Sequence, residues 1–308
     1  MSGNLPNQPA SAEGGTPSAL WRRLVRFARK PGREHYRSLA IRLQSRFPSL
    51  PVPVPLPYGG CYLAANSDID RAVLCGGFES AEIHFLRRFL RPGMIIFDIG
   101  AHHGLYSLIA SQAVHPRGHV YSFEPSPREC RLLERNLRLN LRENVSVHAK
   151  ALGATRGHAS LFLVEGIEDG CNSLRFSRAP VNTRAVEVDV VSLDEFMQEK
   201  GISSVDFIKM DVEGAELSVL QGASRLLSSP ARPVILAEIS DLRTQPWGYP
   251  ARDIIRFLVR VNYEWCAMSP AGSLLPTSLE QDFYDTNLVA LPSERVDEFK
   301  RTLAQPET

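Results

Sequence analysis

Residues 94–107 read MIIFDIGAHHGLYS. Met94, Ile95, Ile96 and Phe97 form an unbroken apolar run, which suits a strand covered on both faces in a parallel sheet. Asp98 stands where that strand should end. Gly100 and Gly104 bracket a turn in which the backbone must come close to something, because glycine permits both the dihedrals and the approach. Leu105, Leu108 and Ile109 then take up helical spacing. In a doubly wound sheet the ligand crevice lies beyond the carboxyl ends of the strands, so this turn belongs at its mouth.

Taken alone, Gly-x-x-x-Gly also suits a plain strand-to-helix connection with glycines for packing. A second acid narrows the reading. Residues 118–123 (GHVYSF) form the next strand, and Glu124 follows it. Its separation from Asp98 is close to the roughly 20 residues expected between a glycine turn and a ribose-binding acid. A carboxylate can accept from both hydroxyls of one ribose. The dinucleotide fingerprint G-x-G-x-x-G is absent, since His102 stands between the two glycines. Asp98 would also repel a pyrophosphate, which needs a helix amino end and close backbone approach. A sulfonium, an amino group and a ribose without phosphate suit Asp98 and Glu124 better, which suggests S-adenosylmethionine.

The chain has 308 residues, enough for one large domain with an extension. Its apolar fraction of 44% and charged fraction of 22% are ordinary for a soluble protein. A net charge of +1 gives no overall reason to expect nucleic acid as a partner. Cys61, Cys75, Cys130, Cys171 and Cys266 are scattered, with no C-x-x-C. Such a set reads as reduced thiols in a cytoplasmic protein. There is neither an 18-residue apolar run nor the apolar core of a secretory signal.

Residues 1–19 are rich in Ser, Gly, Pro, Asn and Ala, a composition expected to be disordered. From Trp21 to Arg46 the chain is strongly basic: Arg22, Arg23, Arg26, Arg29, Lys30, Arg33, Arg37, Arg42 and Arg46 face one acid, Glu34. Leu20, Trp21, Leu24 and Phe27 lie between them at helical spacing. This could be an amphipathic helix on an anionic membrane surface or a protein partner. The favoured reading is a solvated basic helix packed on the domain or used in an oligomer, because one basic amphipathic segment is weak evidence for a membrane or partner. Residues 48–57 (PSLPVPVPLP) read as a stiff linker. The expected division is therefore an extension over 1–57, a domain over 58–295 and a tail over 296–308.

Within the domain, residues 61–75 read as short strands or an irregular lid, and 80–90 as a helix. A helix over 105–114, a strand over 118–123, a helix over 127–140 and a strand over 145–149 follow. Residues 159–164 and 184–191 alternate, as in an inserted antiparallel piece. The polar stretch between them, 166–180, is long enough to suggest a functional loop. Ser192 with Glu195 forms a capping-box signature for a helix over 192–200. A strand over 205–210 delivers Asp211 and Glu213, and a helix is expected over 215–227. A strand over 233–237 delivers Glu238, and a helix over 251–261 precedes a final antiparallel pair, 263–267 and 287–291. Alternating strands and helices argue for a layered α/β sheet.

Several of these stretches together resemble the FkbM family of class I S-adenosylmethionine-dependent methyltransferases. They are FDIGAHHGLYS (97–107), FEPSP (123–127), ALG (151–153), VSLDEF (191–196) and above all VDFIKMDVEGAELSVLQGA (205–223). The resemblance covers about 94–240. It implies a Rossmann-like, seven-stranded, mostly parallel sheet with one antiparallel strand and helices on both faces, and usually O-methylation. Asp98, Gly100, Ala101 and Gly104 match the family's cofactor turn; Tyr106 and Ser107 follow it and would close over the methionine end. Glu124 matches the ribose acid. Many methyltransferases carry an acid after the third strand to hold the adenine amino group. Here Lys150-Ala151-Leu152 stands there, so Ala151 and Leu152 are expected to hold adenine by backbone groups and apolar packing. His102 and His103 are read as shaping the pocket, with catalysis as the alternative.

Methyl transfer needs in-line alignment of the nucleophile and a base for a hydroxyl acceptor. Asp211, Glu213 and Glu238, at strand ends, are the acid candidates. Asp211 is assigned to positioning, and Glu213 or Glu238 to the base. A pair of them could instead hold a divalent cation such as Mg2+. Glu216 is read as a cap, and Lys209 as a structural ion pair on the side of its strand opposite Asp211. The acceptor, a saccharide or small-molecule hydroxyl, would be lined by loop 166–180 with Asn172 and Ser173, by 247–249, and by Asp285 and Asn287. Two other readings stand beside this one: an N- or protein-directed methyltransferase, and an inactive binding module on the same fold. Asp-Val-Glu-Gly after the fourth strand, in place of Asn/Asp-Pro-Pro-Tyr/Phe, counts against base methylation.

Overall fold

The computed structural model describes residues 33–47, 50–56, 59–65, 67–164, 172–175 and 183–299. The expected disordered stretch 1–19, the basic segment 21–30, most of loop 166–180 and the end of the tail lie outside the described residues.

The central sheet has eight strands. In chain order they are β3 (Ile95–Ile99), β4 (His119–Phe123), β5 (Val145–His148), β9 (Phe207–Met210), β10 (Val234–Ser240), β11 (Tyr263–Met268), β12 (Leu274–Pro276) and β13 (Asp285–Pro292). Their order across the sheet is β12-β11-β13-β10-β9-β3-β4-β5. Strands β5, β4, β3, β9 and β10 run parallel, and β13 enters antiparallel between β10 and β11. This is the expected sheet with one short hairpin strand, β12, added at its edge.

Alternation along the strands builds the core on two sides. Ile96, Phe207 and Leu236 pack with Leu86, Phe89, Leu105 and Ile109 of the helices Ser80–Phe89 and Leu105–Val114. Phe97, Ile99, Ile208, Met210 and Ile235 pack on the other side with Phe196, Val219, Ile254 and Leu258. Strands covered on both faces need the unbroken apolar runs that residues 94–97 display. Phe97, Phe123 and Phe196 meet edge to face at 4.7–6.0 Å. A small second sheet, with β6 (Ala151–Leu152), β7 (Gly157–Val164) and β8 (Thr183–Val191) in the order β6-β8-β7, is the inserted piece. Ser192 and Glu195 form the capping box that starts the helix Leu193–Lys200.

Four boundaries differ from the sequence reading. The proline-rich stretch is no linker: β1 (Val52–Pro55) pairs antiparallel with β2 (Cys61–Ala64), and Val52, Val54 and Leu56 are buried. A division at 57/58 would separate two paired strands. Prolines are tolerated because this two-stranded ribbon is all edge. The helix Arg33–Arg46 also packs on the domain, with Ala40 and Gln44 buried and Gln44 Nε2 donating to Ala64 O at 3.1 Å. At the other end, Val296 and Phe299 of the expected tail are core residues, with Phe299 against Phe89. The expected helix 215–227 splits into Glu216–Gln221 and Ser224–Leu227 around Gly222, a poor helix former. Strand β10 continues to Ser240 because β13 extends its ladder, pairing Glu238 with Asn287.

Candidate active site

Beyond the carboxyl ends of β3, β4 and β9 opens a cleft of about 950 Å³, counted with its mouth. It lies where the chain order reverses across the sheet, the place where open α/β sheets bind ligands. Gly100 follows β3, Glu124 follows β4 and Asp211 follows β9, and all three line it.

The turn after β3 is shaped by its neighbours. Gly100 and Ala101 both donate their N–H to Phe123 O at 3.0 Å, and Asp211 N donates to Ile99 O at 3.1 Å. Gly100 has φ +78°, and a Cβ there would stand 1.8 Å from the Asp211 carbonyl oxygen. Glycine is required by the close passage of the β9 exit. Glu124 is 6% exposed; its Oε2 accepts from His102 N at 2.8 Å and its Oε1 from Ser126 N at 2.9 Å. Burial, with Glu129 nearby, pushes its pKa up to about 7. One lone-pair position on each oxygen remains for a ligand's hydroxyls.

Asp98, Gly104 and Ser107 do not line the cleft. Asp98 is in register with Ser122 and Lys209, so the three side chains leave one face of the sheet together. Ser107 Oγ donates to Asp98 Oδ2 at 2.5 Å and contacts Ser122 Oγ at 2.7 Å. Asp98 Oδ1 is buried with no hydrogen-bond partner among the described residues. These residues hold the turn from behind. Ala101, Tyr106, Ala151 and Leu152 do line the cleft.

Lys209 departs most from the sequence reading. Residues two apart on a strand share a face, so Lys209 points with Asp211 and not away from it. Its Nζ lies 3.4 Å from Asp211 Oδ2, 3.2 Å from Gly100 O and 5.0 Å from the Tyr106 ring centre. Burial opposes its charge, yet Asp211, Asp98 and Glu79 hold its pKa above the ordinary lysine range. Tyr106 in turn donates its hydroxyl to Glu79 Oε2.

Glu79 lies just before the helix Ser80–Phe89 with φ +39°, a conformation rare outside glycine. Asn287 Nδ2 donates to it at 3.2 Å and to Glu82 at 3.0 Å. Burial and Asp211 raise the pKa of Glu79. The sequence reading missed this residue; its one local signal is an acid at a helix start after the Gly76-Gly77 break. Tyr62 and Ile69, also unforeseen, line the cleft from the amino-terminal segment.

Glu213 lines the cleft with φ +55° and pairs with Arg243 Nε at 3.1 Å. Burial and Asp211 push its pKa up to about 8. Its turn is held by Glu216, which accepts from Val212 N at 3.0 Å and Gly214 N at 3.3 Å, the capping role expected for it. A Cβ at Gly214 would meet Arg243 O at 2.1 Å. Trp247 Nε1 and Ser173 Oγ donate to Glu213 O at 3.2 and 3.1 Å, and Tyr249 OH donates to Gly214 O at 2.6 Å. Trp247 and Tyr249 thus brace the turn and do not line the cleft; Asn172 does. Asp285 accepts from Ser240 Oγ at 2.8 Å. Glu238 stands within β10, outside the cleft lining, with Oε2 buried and no hydrogen-bond partner among the described residues. Burial, with Asp211, Glu213 and Glu216, pushes its pKa up to about 9.

A divalent cation does not fit this donor set, because Asp211 faces Lys209 and Glu213 faces Arg243. His102, His103 and Glu129 bring potential ligand atoms within 4.8 Å of one another. Glu129, however, is engaged by Ser126 and Arg128, and His103 Nδ1 lies 3.1 Å from Asp70. The two histidines stack at 3.7 Å, and burial keeps His102 well below the ordinary histidine pKa. Their geometry is that of groups shaping the turn.

The sequence pattern of the Methyltransferase FkbM domain matches residues 98–265. The chain belongs to the FkbM methyltransferase family. It is 30% identical over 145 residues to Methyltransferase 1 of Beauveria bassiana, covering 41% of this chain and 57% of that protein. It is 27% identical over 178 residues to the 31-O-demethyl-FK506 methyltransferase FkbM of Streptomyces tacrolimicus, covering 50% and 68%. It is 25% identical over 194 residues to the 2-O-methyltransferase NoeI of Sinorhizobium fredii, covering 59% and 77%. The match thus spans little more than half of the Beauveria protein. Among solved structures, Methyltransferase FkbM from Methylobacillus flagellatus aligns over 69% of this chain and 48% of its own, with 20% identity and a TM-score of 0.45.

Proposed function

We propose that the chain is an S-adenosylmethionine-dependent methyltransferase acting on a hydroxyl of a saccharide or secondary metabolite. The observation that carries this reading is the cleft wall itself. Glu124 stands beside a glycine turn with lone pairs left for a ribose, while Glu79, Asp211 and Glu213 surround the remaining space. Four carboxyl groups line the cleft beside two lysines, and a bound sulfonium and ammonium would favour the ionised form of acids such as Glu124 and Glu213, whose pKa values are raised. The names of the Streptomyces and Sinorhizobium relatives support transfer to oxygen.

Bound S-adenosylmethionine would supply a methyl group made electrophilic by its sulfonium. Gly100, Ala101, Tyr106 and Glu124 would orient it, with Ala151 and Leu152 against its base. Asp211, fixed by Lys209, would set the line of approach for the acceptor oxygen. Glu213 would take the hydroxyl proton as the oxygen–methyl bond forms and the sulfur–methyl bond breaks. A carboxyl with a pKa of about 8 is well matched to that task near neutral pH. The acceptor would enter beside Asn172 and Leu174.

Calorimetry with S-adenosylmethionine, with and without magnesium, tests the cofactor site. Binding that ignores magnesium is expected; no binding in either condition overturns the reading. Transfer of a labelled methyl group to a panel of saccharide and secondary-metabolite acceptors then tests the chemistry.

A further inference from the structure

The helix Arg33–Arg46 has one face docked and one face bare. Ala40 and Gln44 are buried, and Tyr36 OH donates to Pro53 O, which fixes the helix on the β1–β2 ribbon. On the adjoining face stand Leu39, Leu43 and Phe47, 52%, 37% and 55% exposed. Residues four apart on a helix lie one above the other, so the three form a stripe. Arg42 and Arg46, three positions after Leu39 and Leu43, run beside that stripe, and both are exposed. Neither forms an ion pair among the described residues.

We propose that this stripe docks the protein on an anionic lipid bilayer. At the boundary between headgroups and acyl chains, Leu39, Leu43 and Phe47 leave water while the guanidinium groups reach phosphate. Charge selects this occupant over the others. A second copy of the same face, or the chain's own segment 21–30 with its five basic residues and no acid, would set like charge against Arg42 and Arg46. A nucleic acid would meet the arginines but leave two leucines and a phenylalanine in water. This inference does not rest on the proposed methyl transfer.

The test is cosedimentation of the full chain with vesicles of phosphatidylcholine alone and of phosphatidylcholine with phosphatidylglycerol, at low and high salt. Binding is expected only to the anionic vesicles, and weaker in salt. Arg42→Ala with Arg46→Ala should lower it roughly 25-fold, about fivefold per arginine. Leu43→Ser with Phe47→Ser should lower it about tenfold or more. All four side chains are exposed, and thermal melting checks that the variants stay folded. Equal binding to neutral vesicles, no binding by the wild type, or undiminished binding by the Leu43→Ser/Phe47→Ser variant overturns the proposal. Self-association in analytical ultracentrifugation that this variant abolishes would assign the stripe to a second copy and overturn it as well.

Discussion

Lys209 Nζ lies 3.4 Å from Asp211 Oδ2, two residues further along the same chain, and both side chains face the cleft. Lysine at this point is the counter-ion for a group of buried or half-buried acids, Asp98, Glu79 and Asp211. It also reaches back to the carbonyl of Gly100 in the turn after β3. One ammonium thus ties the exits of two central strands.

Lys209→Met should leave these acids without their cation. Removing the cation from a largely buried cluster costs on the order of 3 kcal/mol, and the loss should deepen with rising pH as Asp98 and Glu79, whose pKa values burial raises, ionise. Chemical denaturation at pH 6 and pH 8 measures this. A variant as stable as the wild type at both values would show that Lys209 carries no such role.

Glu124 has a structural task besides its proposed contact with ribose, because each oxygen holds one backbone N–H. Glu124→Ala leaves both donors unpaired, a loss of roughly 2–4 kcal/mol at about 1–2 per orphaned group. Glu124→Gln keeps one acceptor oxygen and should be milder in thermal melting. Both variants should bind S-adenosylmethionine about tenfold more weakly or worse, since a hydrogen bond to a charged group is lost. Wild-type affinity in both would remove Glu124 from the cofactor site.

Glu213 acts as a base only when deprotonated, and burial with Asp211 sets its pKa at about 8. Turnover in the wild type should therefore rise with pH up to about 8 and then level off. Glu213→Gln should lose that rise and fall about 10²–10⁴-fold in kcat, with cofactor affinity little changed. Unchanged kcat in the variant would exclude the assignment.

Glu216 links the Asp-Val-Glu-Gly turn to pH. Its pKa, ordinarily 4.5, is pushed up to about 7 by burial, so the folded state holds this proton more tightly than the unfolded chain. Its contribution to stability is fully present below about 4.5 and is lost as pH rises through 7. Glu216→Gln cannot ionise, so its melting temperature should gain on the wild type between pH 5 and pH 8. Parallel curves across that window would show that Glu216 does not titrate there.

The fold was legible because strands covered on both faces are predominantly apolar, as MIIF and PVILA are and as VDFIKM is apart from Asp206 and Lys209. The acids after them, Glu124, Asp211 and Glu213, come to the cleft because parallel strands put all their carboxyl ends on one edge. Where local chemistry misled, longer-range pairing was the cause. PVPVP has the composition of a linker, yet β2 supplies it with a partner and a core. Glu238 was placed past a strand end that β13 carries three residues further.

What the sequence determined by itself is the order of strands and helices, the family and the acids at the strand ends, because these depend on local periodicity and on residues close together in the chain. That Glu79 joins the site from 21 residues before Gly100, that Asp98 stands behind the turn, and that Lys209 faces inward as the shared counter-ion follow only from the tertiary packing. Those outcomes depend on which strands lie side by side and in what register. Register is a property of the whole sheet, and no single stretch of chain contains it.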